Sequence, residues 1–461
     1  MKLIEHPGQP GAVPRGTITR RDLLMKTLFG AGLVGLRALA TGLPISFLTN
    51  PRKALAGSPP SACAPGSNNA QYLILATSGN GDPINANVPG TYGISGVVHP
   101  DTLGNANMAA TNFSLNGVQT TAALPWTQLP ASVLAHTCFF HHGTYTLIHP
   151  DEPNVLALMG ATTNNEMFCS MVSQQLATCL GSAQAQPVAL GQESIMYQGQ
   201  PLPLLPPSAL AATLTAPGGP LTQLQAIRDQ SLDALNALVR AEGNSAQQAF
   251  IDNYSLSQTQ VRSLSQTLMS QLATIPDNTP PSQLQAASIL IQMNVAPVIV
   301  VHLDFGGDNH FDQNLTAEST QTVATLQNVG QFMSSLPAGY ENRVSMAMMN
   351  VFGRTLSASY NATTNGRGHN ENHHCTVMIG SPFAGSVIGG VEANSASNGG
   401  DYTAQSIDSS TGAGVAGGAG NIPFSETFAS AAVTLGVGLG VDPTYLSKNV
   451  SGGTVVNTAF A

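Results

Sequence analysis

Val298-Ile-Val-Val-His-Leu-Asp-Phe-Gly-Gly-Asp-Asn-His310 joins a run of apolar, mostly β-branched residues to two glycines and then to Asp308 and His310. The run reads as a strand buried on both faces, and Pro297 before it fits a strand's first position. The glycines allow a sharp turn. Asp308 and His310 are two apart, so in an extended segment both side chains leave one face and converge on one metal ion or phosphate-like group. A polar turn with a solvated aspartate is the competing reading of the same residues. Gly366-Arg-Gly-His-Asn-Glu-Asn-His-His374 supplies further imidazoles, with His369 favoured for the flexible glycines before it and His373 or His374 as the alternatives.

Working outward, the same grammar recurs. Gln71–Thr77 reads as a buried strand that opens into Ser78-Gly-Asn-Gly-Asp82, and ligand crevices of open α/β sheets lie at the carboxyl ends of strands, so Asp82 is a candidate for the same site as Asp308. Val133–His142 reads as a third strand, ending toward Thr144, Thr146 and His149. The two threonines are candidate hydroxyl nucleophiles, His149 is the strongest of the three candidates, and a hydrogen-bonding turn competes for both threonines. His99, His136, His141 and His142 read as structural. Asn154–Leu180 looks helical, Pro201–Pro220 is a proline-rich connection, and Leu221–Ala241 and Ala246–Ile275 carry amphipathic helical spacing. Helix at Pro281–Met293, strand at Val298, helix at Thr316–Leu336 and strand at Arg343–Val351 give a βαβ rhythm. The expected fold class is therefore α/β with a mostly parallel central sheet and a helical excursion at about 201–293. Cys375–Gly380 is expected as a strand, Gly385–Gly390 as a hairpin, Asn394–Asn421 as a mobile surface loop and Ser425–Leu439 as a helix.

The amino terminus reads as an export signal. Arg20-Arg21, the Leu23-Leu24 pair, an apolar run from Thr27 to Leu48 and a small-x-small site at Ala54-Leu-Ala56 together describe a twin-arginine signal peptide over 1–56, with a single domain over 57–461. Arg37, Gly42 and Pro44 within the run argue against a stable bilayer helix. Eight of the 15 basic residues fall inside the signal. The remaining chain keeps seven basic residues against 22 acidic ones, a formal charge of −15. Nucleic acid and anionic membranes, which need basic patches, are therefore not expected partners. The expected location is periplasmic or extracellular, by way of the twin-arginine translocase. Cys169 and Cys179 are ten apart in a helical-looking segment, about 15 Å along its axis, too far to pair with each other.

Gly79-Asn-Gly-Asp82 with Asn85–Pro89, His149, Gly306-Gly-Asp-Asn-His310 with Gln313, Phe352-Gly-Arg-Thr355 and Gly366–His374 together resemble the twin-arginine-exported, sulfatase-like domain-of-unknown-function family of bacteria, related to the alkaline phosphatase superfamily. The resemblance covers most of the chain after the signal. It implies a three-layer α/β/α fold, alkaline phosphatase-like, with Asp and His ligands on loops at strand ends, and carries over Asp82, Asp308, His310 and His369 as metal ligands. Two imidazoles and a carboxylate with an open position make zinc the expected ion. Relatives tend to have Ser-Glu before Phe-Gly-Arg, whereas this chain has Asn350-Val351, which removes a carboxylate from an expected second-metal position. Arg354 and Arg367 are candidates for two-pronged anion binding or for holding a loop. The leading expectation is a metal-dependent hydrolase of small anionic phosphate or sulfate esters, with Thr144, Thr146, His149 and Arg354 as its catalytic candidates. A non-catalytic cell-envelope or binding protein on the same fold is the rival. An exported redox protein would need a haem or nucleotide fingerprint, and the chain has neither.

Overall fold

Seven strands form the central sheet: Tyr72–Ala76 (β1), Thr137–His142 (β2), Val188–Ala189 (β3), Val298–Val301 (β4), Val344–Met348 (β5), His374–Ile379 (β6) and Ser386–Ile388 (β7), in the spatial order β7-β2-β6-β5-β1-β4-β3. Every residue of β1, β2, β4, β5 and β6 is buried. Successive side chains point to opposite faces, so both faces of the sheet are covered, as the apolar run at Val298 requires. In this computed structural model residues 69–461 are described, apart from residue 183, most of 211–269, 358–365 and 395–400. The stretch read as a signal peptide lies outside the described residues, as does much of the two amphipathic stretches, whose described residues within 227–241 and 267–273 are helical.

Pairing fixes where the loops meet. β1 is parallel to both β4 and β5, β3 to β4 and β7 to β2, while β6 alone runs the other way, antiparallel to β5 and β2. Ala76 lies beside Val301 on one side and Met348 on the other. These three parallel strands therefore finish level, and the segments after them leave from one edge. β6 begins at that same edge, its His374 opposite His142 at the end of β2, so the loop that enters β6 joins the loops that leave the parallel strands.

Helices Phe168–Leu180 (α1), Pro280–Gln292 (α2), Thr316–Ser334 (α3) and Thr427–Gly438 (α4) complete the frame. α1 packs on β1 and β4, α2 on β4 and α3, and α4 on β2. One large apolar core joins strands and helices. No helix among the described residues is long and apolar enough to cross a membrane.

Several sequence expectations change in detail. Val133–His142 is a helical turn, Ala131–Leu134, followed by the strand, because Pro130 starts the turn and the Thr137 hydroxyl donates to the Val133 carbonyl at 2.8 Å. The helix expected over Asn154–Leu180 breaks where Met159, Gly160, Asn164 and Asn165 take left-handed backbone angles, and resumes as α1. Within α1, Cys169 is a free buried thiol and Cys179 is disulfide-bonded. Ser386–Ile388 is an edge strand parallel to β2 rather than half of a hairpin. The stretch expected as a mobile loop is built from paired pieces in its described part: Tyr402–Ala404 against Val391–Ala393, and Ser406–Ile407 against Gly414–Val415.

Candidate metal centre

His149, Asp308, His310 and His369 come together at the edge where the parallel strands end, with one ligand atom from each lying within 4.8 Å of the others. They arrive on three loops, after β2, after β4 and before β6. His149 Nε2 stands 3.6 Å from Asp308 Oδ2, His310 Nε2 stands 3.4 Å from Asp308 Oδ1, and the Nε2 atoms of His310 and His369 are 2.8 Å apart.

The other ring nitrogens fix the tautomers. His149 Nδ1 donates to the Gly79 carbonyl at 2.7 Å and His369 Nδ1 to the Leu147 carbonyl at 2.6 Å. A carbonyl only accepts, so each Nδ1 carries the proton, and in the neutral ring Nε2 is left with a lone pair. The His369 lone pair faces His310 Nε2, and that of His149 faces the Asp308 carboxylate. Acceptors gathered in this way repel unless a proton or a cation sits among them, and the carbonyl contacts behind the rings are those that orient metal-binding imidazoles. The donor set therefore fits a divalent ion. Burial, only partly opposed by the Leu147 carbonyl, holds His369 down to about 4, and burial followed by Arg354 lowers His310, so both offer neutral imidazole at neutral pH. Burial works upward on Asp308, but Arg354 outweighs it, with His310 and His149 adding, and keeps the carboxyl below its ordinary value.

Arg354 is completely buried. Its Nη2 donates to Asp308 Oδ1 at 2.9 Å and to the Asn80 carbonyl at 2.6 Å, and its Nε donates to the Gly81 carbonyl. Its guanidinium lies over the ring of Phe352, 5.4 Å from the centroid, and Phe352 in turn stacks on His369 at 4.2 Å. Its Nη1 has no hydrogen-bond partner. Arg354 thus ties the glycine loop after β1 to the ligand loop after β4.

Asp82 stands apart from the four. Its Oδ1 accepts from the backbone N–H groups of Phe305 and Gly307, each at 2.8 Å, and its Oδ2 is buried without a partner. It grips the turn in which Gly306 and Gly307 take positive φ, a turn in which a Cβ on Gly306 would press on Glu318. Asp82 therefore reaches Asp308 through the backbone. Of the two threonines, the Thr146 hydroxyl donates to Asp151 at 2.6 Å, and that of Thr144 is buried without a partner. His373 and His374 are spent elsewhere. His373 Nε2 meets His141 Nδ1 at 2.9 Å, and His374 Nε2 accepts from the Asn350 N–H at 3.1 Å. His99, His136 and His142 likewise bond to carbonyls, of Ala86, Phe383 and Gly143. Val351 is fully buried, so no carboxylate occupies that position of the expected second site.

Two buried networks were not singled out by the sequence reading. Glu318, on α3, receives Arg367 Nε at 2.7 Å, Asn87 at 2.8 Å and Asn309 at 2.9 Å. Arg367 also donates to the carbonyls of Thr355 and Val98. This settles Arg367 as a loop holder, and Gly366 beside it passes so close to Asn309 and His310 that a Cβ would strike their carbonyls. The second network joins His302 Nδ1 to Glu193 at 2.8 Å and His302 Nε2 to Asp304 at 2.7 Å. Nearby, burial and then Glu193 push Glu152 up to about 8, against the Thr77 hydroxyl bonded to it. His302 and Asp304 share the two-residue spacing of Asp308 and His310, a signal present in the opening stretch. No family model matches the chain, and no curated protein is significantly similar to it.

Proposed function

We propose that the protein is an exported, metal-dependent hydrolase of phosphate or sulfate esters on an alkaline phosphatase-like three-layer frame. The observation that supports it best is the convergence of His149, Asp308, His310 and His369 at the carboxyl edge of a mostly parallel sheet. Asp308, His310 and His369 would hold the ion, zinc in the first instance, and when bound it would polarise the ester and offset the charge that develops on its oxygens. Arg354 keeps Asp308 ionised and in place. His149, fixed through Nδ1, keeps its Nε2 lone pair to take the proton from an attacking water. Water is assigned as nucleophile, the Thr146 hydroxyl being engaged by Asp151 and that of Thr144 being buried. Export rests on Arg20-Arg21 and the Ala54-Leu-Ala56 site, and the bonded Cys179 fits an oxidising compartment.

Buried Val351, where the expected second metal position would take a carboxylate, favours a second reading: a non-catalytic cell-envelope or binding protein. Zinc-loaded mature protein separates the two. Turnover of 4-nitrophenyl phosphate or sulfate that a chelator abolishes and zinc restores supports the hydrolase; a full complement of metal with no turnover of either ester supports the binding protein. For export, replacing Arg20 and Arg21 with lysine should retain the chain in the cytoplasm, and unchanged fractionation contradicts the assignment.

A further inference from the structure

Eight large apolar side chains stand exposed among the described residues, and three of them border the cluster: Leu147 at 41%, Ile148 at 57% and Phe311, the most exposed of all, at 82%. Phe311 directly follows His310. Ile148 directly precedes His149. Leu147 holds His369 through its own carbonyl. The His310–His369 contact thus has Phe311 next in the chain to one partner and the Leu147-Ile148 segment bonded through its backbone to the other, with the buried ring of Phe352 stacked on His369. Exposed apolar side chains scattered singly over a surface carry no information, but three that adjoin the residues of one polar centre mark where a ligand's own apolar part is received.

We infer that the cluster serves small esters whose alcohol half is apolar, an aryl or short alkyl group, with Phe311 and Ile148 as specificity-determining contacts. This rests on the ester-hydrolase reading and narrows it. The anionic half meets His149, Asp308, His310 and His369 with their ion, while the apolar half lies against Phe311 and Ile148. On hydrolysis the water oxygen bonds to phosphorus or sulfur, the bond from that atom to the alcohol oxygen breaks, and the proton that His149 removes from water leaves with the apolar alcohol. Neither product needs an oxidant or a second substrate.

Non-hydrolysable phosphonates test binding without requiring turnover. Zinc-loaded mature protein is titrated calorimetrically with phenylphosphonate and with methylphosphonate, as wild type and as the Phe311→Ser/Ile148→Ser double variant, whose exposed positions leave the core untouched. The wild type should bind phenylphosphonate at least about tenfold more tightly. In the double variant that preference should fall below about threefold, with methylphosphonate affinity within about twofold and metal content and melting temperature unchanged. Equal affinity for the two ligands in the wild type, or a preference undiminished in the double variant, overturns the inference while leaving the hydrolase reading intact. Failure of metal-loaded wild type to bind either phosphonate overturns the hydrolase reading, and this inference with it.

Discussion

His369 and His373 sit four residues apart in one loop, yet only His369 is free to hold an ion. Its Nδ1 is committed to a carbonyl and its Nε2 faces His310, whereas both ring nitrogens of His373 are engaged inside the protein, with Asn85 and His141. Replacing His369 with alanine should therefore remove bound metal. His374→Ala should leave metal content nearly intact while destabilising the fold. His149→Ala should keep the metal and lower turnover by about a hundredfold or more. Metal analysis by mass spectrometry beside an ester assay reads all three, and loss of metal in His149→Ala would make that residue a ligand instead of a base. Asp308 and His310 were legible as members of the cluster because a buried strand running into glycines and then into Asp and His leaves few structural uses for those side chains, and His369 because flexible glycines precede it. The role of Asp82 was not legible. The same pattern delivered it to the same edge, but whether a carboxylate there meets an ion or two backbone N–H groups depends on how the neighbouring loop turns, and no spacing rule encodes that.

At the scale of elements, the loop between β4 and α3 is held from two sides: by Asp82 at Phe305 and Gly307, and by Glu318 with Arg367 at Asn309. Asp82→Asn keeps an oxygen for the two N–H donors and should change zinc affinity by less than about threefold, whereas Asp82→Ala leaves both donors unsatisfied and should weaken zinc about tenfold or more, as removal of supporting residues commonly does. A competition titration with a chromogenic chelator measures this, and abolition of binding by both variants would show Asp82 to be a ligand after all. Glu318→Gln leaves the guanidinium of Arg367 buried without its counter-charge. That should cost about 3 kcal/mol in urea unfolding, and a loss below about 1 kcal/mol would contradict the role assigned to this pair. The strands were legible as elements, being short buried apolar runs. Their order was not, and neither was the reversal of β6, which carries His369 to the ligand edge from the opposite chain direction.

Across the whole molecule, burial makes protonation of the interior costly. It holds His99, His141 and His142 at about 4 and His373 and His374 well below their ordinary value. A histidine whose folded pKa lies below its unfolded value binds fewer protons when folded, so its contribution to stability is present above about 6.5 and is lost as pH falls toward 4. Glu152, raised to about 8, and Asp401, raised by burial, act the other way, gaining stability as pH falls, but they are two groups against five. His302, which burial lowers but Asp304 and Glu193 together raise to about 10, contributes fully below about 6.5 and loses that contribution only as pH rises toward 10. Metal-free protein should therefore melt at progressively lower temperature between pH 6.5 and 4.5 in a calorimetric series, and a constant or rising melting temperature would contradict the buried, neutral state of these histidines. The α/β class was legible from alternating strand and helix patterns. The small paired strands within 391–415 were not, because glycine, alanine and serine give no periodicity from which pairing can be read. The central claim, that this edge of the sheet holds an ion, is tested most directly by the metal content of mature protein purified after its own export: the account predicts about one zinc per chain in the wild type and close to none in His369→Ala, and a wild type without bound metal, or a His369→Ala protein that retains it in full, would contradict it.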